Sequence, residues 1–173
     1  NIGNMLFNWR MLEVTGDAKY AELVETCLYN SVLSGISLDG KRYFYTNPLR
    51  ISADLPYTLR WPKERTEYIS CFCCPPNTLR TLCQAQNYAY TLNDEGIYCN
   101  LYGANTLTTH WKDKGEIVLT QETDYPWDGN VRVRLNKLPR KAGAFSLFFR
   151  IPEWCEKATL TVNGEPVQIA AKA

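Results

Sequence analysis

The hydrophobic period of this chain changes once, near residue 93, and that change limits the folds open to it. Before it, apolar residues recur at helical spacing. Ile2, Met5, Leu6, Trp9 and Leu12 follow i, i+3, i+4, i+7 and predict an amphipathic helix. Thr15-Gly16-Asp17 predicts the end of that helix and the cap of the next. Tyr20, Leu23, Val24, Cys27 and Leu28 predict a second helix running to about Ser34, with Gly35 as its stop. Two helices joined by so short a turn form an αα-hairpin. After Gly96 the period becomes two. Ile97, Cys99 and Leu101 alternate, and strand-like runs follow at 116–120, 131–135, 145–149 and 158–162, separated by Gly, Pro and Asn-Asp turns. Asn163-Gly164 is a hairpin turn signal. The expected fold is therefore α+β: a helical part over 1–92 and an antiparallel β-sandwich over 93–173.

Between these parts, Arg42–Thr46 is aromatic and β-prone and predicts a strand that Asn47-Pro48 ends. Residues 50–70 predict a long loop, a length at which loops are often functional. Glu64, Glu67, Arg60 and Arg65 within it have the composition of a solvated charge run. Asn77 is expected to cap a third helix that carries Leu79, Leu82, Cys83, Gln86 and Tyr90 on one side and ends near Leu92. Lys and Arg number 19 against 18 Asp and Glu, and no basic cluster stands out, so neither nucleic acid nor an anionic membrane surface is an expected partner. No apolar run approaches the ~18 residues of a transmembrane helix. Asn1 falls inside helical periodicity and is not an initiator Met, so the chain is expected to be part of a longer protein.

The densest chemistry lies at Cys71-Phe72-Cys73-Cys74-Pro75-Pro76-Asn77, which holds three of the seven cysteines. Cys73 and Cys74 precede a helix N-terminus, where the backbone dipole lowers a thiol pKa. Two prolines stiffen the entry to that helix. The setting suits metal-bound thiolates, but core cysteines and a redox pair remain open on residue chemistry alone. Cys27, Cys83, Cys99 and Cys155 have the placement of ordinary buried thiols. His110, the single histidine, falls in the β part. By default Glu25 is a solvated helix residue and Tyr45 a packing residue. Trp61, Trp111, Trp127 and Trp154 could stack on sugar rings, but with 13% aromatic residues core packing is the default for them too.

Several stretches in order resemble the β-L-arabinofuranosidases of glycoside hydrolase family 127: Ile2-Gly3-Asn4-Met5, Glu25-Thr26-Cys27-Leu28-Tyr29-Asn30, Tyr45-Thr46-Asn47-Pro48-Leu49, the cysteine motif with Pro-Pro-Asn, Thr123-Asp124-Tyr125-Pro126-Trp127 and Arg150-Ile151-Pro152-Glu153-Trp154-Cys155. The resemblance implies the terminal helices of an (α/α)6 barrel followed by a β-sandwich. It implies a retaining glycosidase with Cys73 as thiolate nucleophile, Cys73 and Cys74 as ligands of a Zn2+ ion, and Glu25 and Tyr45 as sugar contacts. The two other zinc ligands and the general acid/base are expected upstream of Asn1, so the chain alone is expected to be inactive. An oligosaccharide or glycan is the implied partner, and homo-oligomerisation is compatible with it. Free thiolates favour the cytoplasm, although bound zinc would protect them elsewhere. The competing readings are a carbohydrate-binding module without chemistry and a protein with a purely structural zinc–thiolate site.

Overall fold

The computed structural model describes residues 1–48, 50, 52, 58, 60–112, 115–140 and 143–169. Helix α1 spans Ile2–Thr15 and turns Met5, Asn8, Trp9 and Leu12 inward. Gly16 ends it at φ 69°, a left-handed conformation that suits glycine, and its N–H returns to the Leu12 carbonyl. Asp17 then caps α2 (Ala18–Cys27), its carboxylate accepting from the Lys19 N–H at 3.0 Å. The helix continues as a π-helical turn over Leu28–Val32 and a 3-10 turn over Leu33–Gly35, so the predicted extent holds although the winding changes. Met5, Trp9, Leu12, Ala21, Val24, Leu28 and Val32 form one core with Tyr88 and Leu101. Burying each of the larger side chains contributes about 1.5–3 kcal/mol.

Helix α3 differs from the expectation at both ends. It spans Cys74–Cys83, starting four residues earlier than an Asn77 cap would allow. Pro75 and Pro76 occupy its first turn, where a missing N–H costs nothing. Asn77 is not a cap: its amide donates to the Cys73 carbonyl at 2.6 Å from inside the helix. At the other end the helix stops at Cys83, a 3-10 turn follows over Ala85–Tyr88, and Tyr90–Leu92 is strand β1. Tyr90 pairs with Cys99 and Leu92 with Ile97, so cross-strand pairing overrides the helical spacing of the local sequence. The predicted strand Arg42–Thr46 reduces to isolated bridges of Tyr43 with Ile36 and Thr66.

The later strands are β2 (Gly96–Cys99), β3 (Asn105–His110), β4 (Glu116–Glu122), β5 (Arg132–Lys137), β6 (Ser146–Phe149), β7 (Leu160–Val162) and β8 (Glu165–Val167). They form two three-stranded sheets, β1-β2-β6 and β3-β4-β5, and the hairpin β7-β8. The pairing is not purely antiparallel, because β6 lies parallel to β2. A Cβ on Gly96 would meet the Ser146 carbonyl oxygen at 2.0 Å, so this approach requires glycine. Ile97, Trp111 and Ile117 centre a second core with Tyr90, Leu107, Phe145 and Leu147 around them. At the β7-β8 turn Asn163 and Gly164 both have positive φ, 53° and 90°, as a two-residue hairpin loop demands. The result is a mixed α+β architecture of a few helices and small sheets. Among the described residues no helix is long and apolar enough to cross a membrane.

Candidate active site

The site is built where α2's C-terminal extension anchors two distant segments. The Asn47 amide donates to the Ser31 carbonyl at 3.1 Å and to Ser34 Oγ at 2.8 Å. The Arg65 guanidinium donates to the Ser34 carbonyl at 2.6 and 3.1 Å and lies over the Phe44 ring. Arg65 is therefore a structural anchor rather than part of a solvated charge run. Tyr43 and Thr66 exchange two backbone hydrogen bonds, each 3.0 Å, which fixes the segment bearing Tyr45 beside the one leading to Cys71. Of the loop predicted over 50–70, residues 51, 53–57 and 59 lie outside the described residues.

This framework brings the Tyr45 hydroxyl within 2.7 Å of Cys73 Sγ across 28 residues of sequence. Cys71 Sγ donates to the same hydroxyl at 3.4 Å. Cys73 Sγ is 3.7 Å from Cys71 Sγ and 3.8 Å from Cys74 Sγ. The Tyr45 ring stacks on Trp61 at 3.8 Å, and the Arg60 guanidinium covers Trp61. Cys73 is exposed, so its sulfur is open to a ligand. Cys71 has no assigned role in the sequence, and its density with Cys73 and Cys74 is the only local signal for it.

The electrostatics sort the thiols. The Tyr45 hydrogen bond pulls the Cys73 thiol below its ordinary pKa, with Cys71 and Cys74 adding and burial opposing. Burial pushes Cys74 up, and Cys73 beside it adds to that. Tyr45 is itself held well above a normal phenol by its hydrogen bonds to Cys71 and Cys73. These shifts favour Tyr45 as the protonated partner and Cys73 as the sulfur that carries charge.

Zinc sulfurs at ~2.3 Å in a tetrahedron lie ~3.8 Å apart. The Cys73–Cys74 separation of 3.8 Å is compatible with one such edge, as is the Cys71–Cys73 separation of 3.7 Å. Among the described residues no group of three or more His, Cys, Asp and Glu side chains could hold a metal ion by itself. His110 is exposed at the end of β3, and its strand partner is Glu116.

The other predicted residues have partners of their own. Glu25 is not solvated: it is buried on α2, its Oε1 receiving Arg150 Nη2 at 2.6 Å and the Tyr125 hydroxyl at 3.0 Å. Cys27 and Cys99 are buried thiols as expected, whereas Cys83 is exposed because α3 ends there. Trp111 packs in the second core, but Trp127 and Trp154 are exposed, against the packing expectation.

Comparison with known proteins gives the family. Residues 1–87 match the β-L-arabinofuranosidase GH127 catalytic domain, and residues 96–173 match the GH127 middle domain. The chain belongs to glycoside hydrolase family 127. It is 33% identical, over 96% of its length, to a non-reducing end β-L-arabinofuranosidase of Bifidobacterium longum. It superposes on a crystal structure of a family 127 β-L-arabinofuranosidase from Geobacillus stearothermophilus T6 with a TM-score of 0.85 and 38% identity over 97% of the chain. A solved glycoside hydrolase, 91% identical, gives a TM-score of 0.93 over 99% of the chain. The chain spans about a quarter of the length of these proteins, 26% of the first two and 28% of the third.

Proposed function

We propose that this chain is part of a retaining glycoside hydrolase that releases L-arabinofuranose or a related sugar from a glycan, with the Cys73 thiolate as nucleophile. The observation that carries the reading is the exposed Cys73 sulfur with the Tyr45 hydroxyl 2.7 Å away. In the first step Cys73 Sγ attacks the anomeric carbon. The S–C bond forms as the glycosidic C–O bond breaks, and an acid outside these 173 residues protonates the departing oxygen. In the second step water attacks the same carbon and gives its proton to the conjugate base of that acid, the S–C bond breaks, and its electron pair returns to Cys73. Two inversions leave the configuration retained. Tyr45 donates to the sulfur whenever it carries charge, at the start of the first step and the end of the second. Glu25 is a second sugar contact.

Cys73 and Cys74 would hold a zinc ion, with the remaining ligands supplied from outside this chain. Bound zinc keeps coordinating thiols deprotonated at neutral pH. The 173-residue chain alone is expected to take up less than one tight equivalent of zinc in a calorimetric titration, and to be inactive. Tight one-to-one zinc binding by the chain would contradict an incomplete site.

The reading is tested in the full-length protein on a β-L-arabinofuranoside. Tyr45→Phe is expected to lower kcat/KM about 10- to 100-fold, the range for removing a hydrogen bond to a charged group. Unchanged kinetics would detach Tyr45 from the chemistry. A second reading rests on the exposed Trp127 and Trp154, 92% and 61% accessible: carbohydrate binding without chemistry. Glycan binding by the full-length protein with no turnover of arabinofuranosides would favour it.

A further inference from the structure

Glu25 is held by residues from the far end of the chain. Its Oε1 accepts from Tyr125, 100 residues on, and from Arg150, 125 residues on. Neither donor is loose. Arg150 Nε donates to the Asn100 carbonyl at 2.8 Å, and Nη1 donates to Glu22, one helical turn before Glu25 on α2. The Arg150 carbonyl accepts from the Tyr102 hydroxyl, and the guanidinium faces the Tyr102 ring at 5.9 Å. Tyr125 lies edge-on to Tyr102 at 5.6 Å and stacks with Trp154 at 6.3 Å. Burial and the Glu25 charge keep the Tyr125 phenol protonated, so it remains a donor.

This arrangement loads one oxygen of the carboxylate and spares the other. Glu25 Oε2 makes no hydrogen bond among the described residues, and it is not among the fully buried atoms left unpartnered. A carboxylate oxygen in that condition accepts a hydroxyl. We infer that Arg150 and Tyr125, both from the β-rich part, are positioning residues that lock Glu25 by its Oε1 and turn Oε2 toward a sugar hydroxyl. The inference rests on the proposed role of Glu25 as a sugar contact. It makes the β-rich part a contributor to substrate binding through an interaction made with α2.

The test compares Tyr125→Phe, Glu25→Gln and the double variant in the full-length enzyme. Tyr125→Phe removes one donor and keeps the ring against Tyr102 and Trp154. It is expected to raise KM about five- to tenfold, to change kcat less than about twofold, and to lower the melting temperature only modestly, because Arg150 still pairs with Glu25. Glu25→Gln is expected to raise KM at least tenfold. The double variant should be no worse than Glu25→Gln, because Tyr125 acts only through Glu25. An unchanged KM for Tyr125→Phe, with or without a lower melting temperature, overturns the positioning role while Glu25→Gln still shows the sugar contact. Losses that add in the double variant overturn it equally. An unchanged KM for Glu25→Gln overturns the sugar contact and the inference together.

Discussion

Replacing Cys73 by serine in the full-length protein is expected to lower kcat on a β-L-arabinofuranoside by at least about 10³-fold. The change keeps the size and the exposure of the side chain but removes what the site is arranged to use. A serine hydroxyl does not ionise near neutral pH, so the hydrogen bond that Tyr45 gives the Cys73 thiolate has no anion to stabilise. An ether formed at the anomeric carbon would also be a poorer leaving group than a thioether in the second step. Both steps lose, so kcat falls rather than KM alone. Steady-state kinetics check the size of the loss. Mass spectrometry of the acid-quenched wild-type enzyme checks its cause, through a glycosyl adduct on the Cys73 peptide that the serine variant lacks. Turnover near wild type would remove Cys73 from the mechanism.

What could be read from the sequence was short in range. The α1–α2 hairpin follows from apolar spacing plus a Gly16-Asp17 pair that stops one helix and caps the next. Asn163-Gly164 is legible because two positive φ values in a row admit few residue types. The cysteine cluster stands out by density, but density alone leaves metal-bound thiolates, a redox pair and core cysteines all open. The misses share a different cause. The end of α3 was misjudged because Tyr90 obeys the helical spacing locally but pairs with Cys99 in space. Strand β3 was missed because its only apolar residue is Leu107, and its threonines carry β preference without hydrophobic alternation. The parallel β2–β6 pair joins Gly96 to Ser146 across the whole of β3–β5, and no local pattern encodes that.

The same distinction applies to the site. Tyr45 and Cys73 meet because Asn47 and Arg65 tie their segments to Ser34 and Tyr43 pairs with Thr66, a contact set written in three separate stretches. Residue chemistry attributes a low Cys73 pKa to the helix N-terminus. In the structure the leading cause is the Tyr45 hydroxyl, which no spacing rule connects to it. Glu25 on α2 has the sequence context of a solvated residue, since its neighbours on the apolar face are complete without it. Its partners are supplied by an arginine and a tyrosine in the β-rich part.

Those partners set the second large effect, which is on stability. Arg150→Met is expected to destabilise the folded protein by about 3–5 kcal/mol. The Arg150 side chain is 4% exposed, that of Glu25 7% and that of Glu22 17%. Methionine fills similar volume but leaves two largely buried carboxylates without their cation, and Tyr125 alone offers Glu25 a single neutral donor. Most of the loss is thus the cost of stranded charge rather than the net worth of the ion pairs. Adding Glu22→Gln and Glu25→Gln to Arg150→Met should therefore recover part of it, because the amides need no counter-charge. The Arg42–Glu67 pair supplies the contrast. Its side chains are 51% and 67% exposed, and Arg42→Met is expected to cost no more than about 1 kcal/mol. Urea unfolding of the full-length variants at neutral pH, compared by midpoint, reads all three differences. If Arg150→Met costs no more than Arg42→Met, the guanidinium does not neutralise buried charge and the two parts of the chain are joined by apolar packing instead. If the triple variant is less stable than Arg150→Met alone, the carboxylates gain more from their remaining donors than stranded charge would allow.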